Sequence, residues 1–138
     1  MPITQELTIR MDNCPGSLGK VCRAIADRGV NISAFQSIPS EKTILVCIVV
    51  DNLAAAEAAL DRDGIIYTEG EVAQVTLPHR PGELARAASK LGEAGINIHY
   101  AYCGLESNTN APLAIFGVTE VGRAATILDQ AAAAVAGA

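Results

Sequence analysis

The sequence predicts an α+β fold made of two copies of one βαββαβ unit, and three observations carry that prediction. A segment recurs: Asn13-Cys14-Pro15-Gly16-Ser17-Leu18, followed by Gly29-Val30-Asn31-Ile32, returns as His79-Arg80-Pro81-Gly82-Glu83-Leu84, followed by Gly95-Ile96-Asn97-Ile98, at an offset of 66 residues. Six of the twenty residues from 13 to 32 are identical at that offset without a gap, which marks a duplicated small domain rather than an array. The apolar residues also switch between period 2 and period 3.6, and they do so in the same order in each half.

Leu7, Ile9 and Met11 alternate with Thr8, Arg10 and Asp12, the period of a strand with one buried face over residues 3–11. After the Pro-Gly turn, Leu18, Val21, Cys22 and Ile25 share one helical face, and Gly29 ends the helix. Residues 30–38 read as a second strand, closed by Pro39-Ser40-Glu41-Lys42. Residues 43–50 are apolar almost throughout, so both faces of that strand need cover. Asp51 or Asn52 caps a helix that carries Leu53, Ala56 and Leu60 inward and stops at Gly64. Residues 65–77 are extended in character, and Glu69-Gly70-Glu71 marks a join that divides the chain into units 1–70 and 71–138.

The second unit repeats the order: strand 72–77, a helix stripe of Leu84, Ala87, Ala88 and Leu91, and strand 96–104. A longer loop at 106–110 precedes an apolar strand at 113–119 and an alanine-rich helix at 123–135, with Ile127, Leu128 and Ala131 inward. Each unit is thus expected to be ferredoxin-like, an antiparallel sheet with helices on one face, and the last strand of the second is short or missing. That leaves the edge at residues 72–77 open. Open edges invite another strand, so a homodimer is expected.

Half of the 138 residues are apolar, enough for a substantial core. A net charge of −5 without any run of Lys or Arg argues against nucleic acid and against an anionic membrane. No signal peptide or membrane-length apolar run is evident, which places the protein in the cytoplasm. No two of Cys14, Cys22, Cys47 and Cys103 have C-x-x-C spacing, so they read as thiols and not as a disulfide frame or metal site. Cys22 and Cys47 fall in apolar patterns, whereas Cys14 precedes a helix start that can stabilise a thiolate.

The repeated motif itself has a physical meaning. Pro suits the first turn of a helix because its missing N–H would have no partner there, and the Gly beside it lets a ligand approach. A strand that ends in such a turn presents backbone N–H groups at a positive helix end, a site for a carboxylate or phosphate. The plain alternative is a tight turn and nothing more; for Asn31 and Asn97 it is a left-handed turn residue.

A βαββαβ unit of this length, with Pro-Gly-x-Leu opening its first helix and Gly-Val-Asn-Ile its second strand, resembles an ACT domain, and the chain resembles a stand-alone tandem pair. The resemblance implies a regulatory module without catalysis or cofactor that binds a small molecule, typically an amino acid, near the β1–α1 turn at an interface between units. Carried over residue by residue, the ligand-binding positions are Asn13, Pro15, Gly16, Ser17, Leu18, Asn31 and Ile32. The corresponding second site is His79, Pro81, Gly82, Leu84, Asn97 and Ile98. Members with a His two residues before Asn-x-Pro-Gly have Met11 and Leu77 here, which leaves the ligand open. A regulatory subunit that binds a metabolic enzyme is the alternative from the interaction class. A small enzyme using His79, Tyr100, Tyr102, Cys103 or Cys14 is a third, although no carboxylate pair, metal cluster or nucleophile with a base stands at an informative spacing.

Overall fold

Ten elements follow one another in the computed structural model, which describes residues 2–136: β1 Ile3–Asp12, α1 Ser17–Ala26, β2 Ile32–Ser40, β3 Thr43–Val50, α2 Leu53–Arg62, β4 Tyr67–Thr76, α3 Glu83–Glu93, β5 Ile98–Leu105, β6 Pro112–Val118 and α4 Val121–Ala136. They form two compact units, one of Gln5–Gly70 and one of the residues from Glu71 onward together with those up to Thr4. No helix among the described residues is long and apolar enough to cross a membrane.

In the first unit β3 lies between β1 and β2 and is antiparallel to both, with Ile48 opposite Leu7 on one side and Phe35 on the other. Alternation sends Leu7, Ile9, Val46 and Ile48 to one face, where they meet Val21 and Ile25 of α1 and Ala56 and Leu60 of α2. Burying each of these larger aliphatic side chains contributes about 1.5–3 kcal/mol relative to exposure. Asn52, not Asp51, caps α2, its side chain accepting from the Ala55 N–H at 3.1 Å.

In the second unit β6 is the middle strand, between β4 and β5. Val75, Leu77, Phe116 and Val118 face Ala87 and Leu91 of α3 and Ala124 and Leu128 of α4. Gly117 has a packing reason. A Cβ there would come within 2.3 Å of the Tyr100 ring, so only glycine lets that ring cross β6. Tyr100 stacks in turn on Tyr102, with centroids 6.4 Å apart and planes 7° from parallel.

The expectation of two ferredoxin-like units with separate sheets is overturned. All six strands hydrogen-bond in one closed order, β1-β3-β2-β5-β6-β4. β4 runs unbroken across the boundary at Gly70. Nor does the second unit leave the outer edge of β4 open, because the Gln74 N–H donates to the Pro2 carbonyl at 2.9 Å. The strand expected to be short or missing in the second half is supplied by the start of the chain, and the reason is the cost of unpaired strand edges. β3 after Thr43, and β6 throughout, are apolar. Cys47, Val49, Leu113 and Ile115 are buried although they lie outside both helix-covered clusters.

Candidate functional site

The repeated motif folds into a turn that differs from a simple Pro-started helix. Cys14-Pro15-Gly16-Ser17 closes with the Ser17 N–H donating to the Cys14 carbonyl at 3.3 Å, and Gly16 adopts φ 90°, ψ −11°. These are the features of a type II turn, with Pro at its second position and Gly at its third, where a positive φ is required. Gly16 is therefore the residue before α1, Ser17 is its first residue, and Pro15 lies outside the helix. The space around a Cβ on Gly16 is empty, so the glycine serves φ and not a close approach. No side chain caps α1. The first-turn N–H groups beyond Ser17 keep the donor capacity of an uncapped helix start.

Asn13, Cys14, Pro15 and Gly16 are exposed, and Ser17 and Leu18 are half-buried. The Asn13 N–H donates to the Lys42 carbonyl at 2.9 Å, which fixes the turn against the β2–β3 hairpin. The Cys14 thiol and the Ser17 hydroxyl stand 3.0 Å apart.

Asn31 is elsewhere. Asp12 pairs with Thr43 at the start of β3, whereas Ile32 pairs with Val50 at its end. Seven residue steps at about 3.4 Å separate those ends by roughly 24 Å. The structure thus brings Asn13, Pro15, Gly16, Ser17 and Leu18 together, and places Asn31 and Ile32 at the opposite end of the same sheet. There the Asn31 N–H donates to the Asp51 carboxylate at 2.9 Å, and its carbonyl accepts from the Asp51 N–H at 3.1 Å. Asn31 does not take the left-handed conformation; Gly29 does, with φ 72°.

The second turn repeats the backbone and changes the chemistry. Gly82 has φ 87°, and the Glu83 N–H reaches the Arg80 carbonyl at 3.5 Å. Glu83 is only 8% exposed, while Leu84, expected on the buried stripe, is 51% exposed. Two arginines turn the helix that way: Arg80 Nε donates to Glu83 Oε1 at 2.8 Å, and Arg86 Nε lies 3.6 Å from Oε2. The hydrogen bond from Arg80, followed by the charges of both arginines, holds the Glu83 carboxyl below its ordinary range. The α3 start already has its anion. His79, Pro81 and Gly82 are exposed beside it. Asn97 and Ile98 lie at the far end of β6, since Thr76 pairs with Leu113 and Ile98 with Val118; the Asn97 amide is 3.5 Å from His99 Nδ1.

Cys14 and Cys103 are exposed, Cys22 is half-buried and Cys47 is buried. Burial raises the thiol pKa of Cys22; burial and then the Glu6 charge raise that of Cys47. Among the described residues no three His, Cys, Asp or Glu side chains are grouped to hold a metal ion.

Residues 6–62 match the ACT domain family. None of the curated proteins matches the sequence. Among solved structures, a protein from Bacteroides thetaiotaomicron is similar at 22% identity and a TM-score of 0.81, over 94% of this chain and 88% of that one. The ligand-free regulatory subunit of aspartate kinase from Thermus thermophilus is similar at 19% identity and a TM-score of 0.64, over 94% of this chain and 92% of that one. The corresponding subunit from Thermus flavus gives 18% and 0.57, over 95% and 93%. At these identities the likeness is one of fold.

Proposed function

We propose, on the premise that residues 6–62 are an ACT domain, that this chain is a regulatory protein that binds an α-amino acid at the β1–α1 turn, and that a second copy of the chain completes the site. The 66-residue repeat supports reading the second half as a further ACT-type sequence sharing the closed sheet.

The observation that carries the reading is the uncapped start of α1 beside an exposed amide and a hydroxyl, those of Asn13 and Ser17. A ligand carboxylate takes the free first-turn N–H groups, and Pro15 and Leu18 give apolar contact. Asn31 and Ile32 stand roughly 24 Å from the turn of their own chain, too far for one amino acid to span. They therefore reach the ligand from a second copy. The second turn, with His79, Pro81, Gly82, Leu84, Asn97 and Ile98, is weaker or structural because Glu83 fills its anion place.

Regulation follows by linkage: a ligand that bridges two copies favours the associated state by its differential affinity and by no more. A second reading, a separate subunit that controls a metabolic enzyme, is favoured by the near-complete mutual coverage with the Thermus aspartate kinase regulatory subunit. A thermal-shift screen of the common amino acids tests the first reading. A ligand at 100 times its Kd adds about 2.7 kcal/mol of apparent stability, and light scattering of the hit complex should report a dimer. No shift from any amino acid would sink it.

A further inference from the structure

We propose that a half-open cavity in the second unit, bordered by the end of β4 and by α3 and α4, binds an apolar monocarboxylate, with its tail inside and its carboxylate on Arg86. This site is separate from the β1–α1 turn and independent of the reading given to it.

The cavity has a volume of about 310 Å³ and is lined by Val75 of β4, Leu77 just after it, Arg86 and Ala87 of α3, and Leu128 and Ala131 of α4 among others. It exists because alanines stand where larger apolar residues would close the space between the two helices. A cavity of about 150 Å³ is enough for a benzene, so this one takes a chain of about six to eight carbons.

Arg86 is the charged side chain among the described lining residues. Its Nε is buried and has no hydrogen-bond partner, and neither does Glu83 Oε2, 3.6 Å away. That separation is an ion pair too long to be a hydrogen bond, so Arg86 still has donors to give. A buried donor left unmet costs free energy that an incoming acceptor recovers. The side chain is 31% exposed, so part of it is reachable from solvent although Nε is buried.

Charge decides the class of headgroup. Two guanidiniums, Arg80 and Arg86, face the single carboxylate of Glu83, so the cluster carries an excess positive charge. An anion gains from that excess, and an ammonium loses. The fitting ligand is therefore a fatty or aryl carboxylic acid without an amino group.

The test uses octanoate, octanol and phenylalanine as probes on the full-length protein. Octanoate should bind saturably by calorimetry and shift the amide resonances of Leu77, Ala87 and Ala131. Octanol and phenylalanine should bind about tenfold more weakly or worse. Arg86→Met should weaken octanoate about tenfold and leave octanol unchanged, and Ala131→Leu should abolish both by filling the space. Should Ala131→Leu fail to fold, Ala132→Leu fills the cavity from the next residue and must abolish both in its place. Unmoved resonances at millimolar octanoate, equal octanoate affinity in Arg86→Met, or phenylalanine binding as tightly as octanoate would overturn the proposal.

Discussion

Gly117→Ala should destabilise the protein, and the size of the effect follows from the contacts. The new Cβ would lie 2.3 Å from two atoms of the Tyr100 ring and 2.7 Å from a third, so the ring has to move by about an ångström to reach ordinary contact. It moves against its stacking partner Tyr102. Leaving the rotamer well costs about 0.5–1.5 kcal/mol, and losing the aromatic pair costs a similar amount. Removing a glycine from a strand returns about 0.5–1 kcal/mol. Central values leave a net loss of about 1 kcal/mol, or a fall in Tm of roughly 3–4 °C for a chain of this length. Urea and thermal unfolding followed by circular dichroism measure it. A double-mutant cycle isolates the cause: in a Tyr100→Ala background, Gly117→Ala should be neutral or stabilising. An equal loss in both backgrounds, or no loss in the wild type, would refute the packing argument.

Other expectations concern single groups. Asn52→Ala should cost about 0.5–2 kcal/mol by removing the bond to the Ala55 N–H, read from urea unfolding, whereas Asp51→Ala leaves the α2 cap intact. Glu83 has a depressed pKa in the folded state, so its contribution is present above its unfolded value of about 4.3 and is lost as pH falls through the lower folded value. Glu83→Gln should flatten that part of the stability–pH curve, and an unchanged slope below pH 4.3 would contradict it. Iodoacetamide at neutral pH should label Cys14 and Cys103 first, with Cys47 reacting only on unfolding. Mass spectrometry of peptides from a time course gives the order.

Much of the element order was legible because periodicity is local. Val21 and Ile25, or Ala87 and Leu91, reveal their helical faces without knowledge of any partner. The pairing that closes the sheet was not legible, since the hydrogen bond from Gln74 to Pro2 uses backbone groups that every residue carries. Leu84 misled because its spacing is right, and the ion pairs that bury Glu83 in its place depend on side-chain reach. The separation of Asn13 from Asn31 does have a signal in the element order. A helix that links two parallel strands returns the chain to the far end of the sheet, so motif residues at its two ends cannot meet within one unit.

The central claim, that one amino acid is held by the first turn of one copy and by Asn31 of another, is tested most directly by complementation. Asn13→Ala and Asn31→Ala proteins are prepared separately, mixed, and titrated by calorimetry with the amino acid found by thermal shift. Each variant alone should bind about tenfold more weakly or worse, and Asn97→Ala should bind as wild type. In the mixed dimer one site pairs an intact Asn13 turn with an intact Asn31, so the mixture should regain wild-type affinity at a fraction of its sites. A mixture as weak as either variant alone would contradict the account.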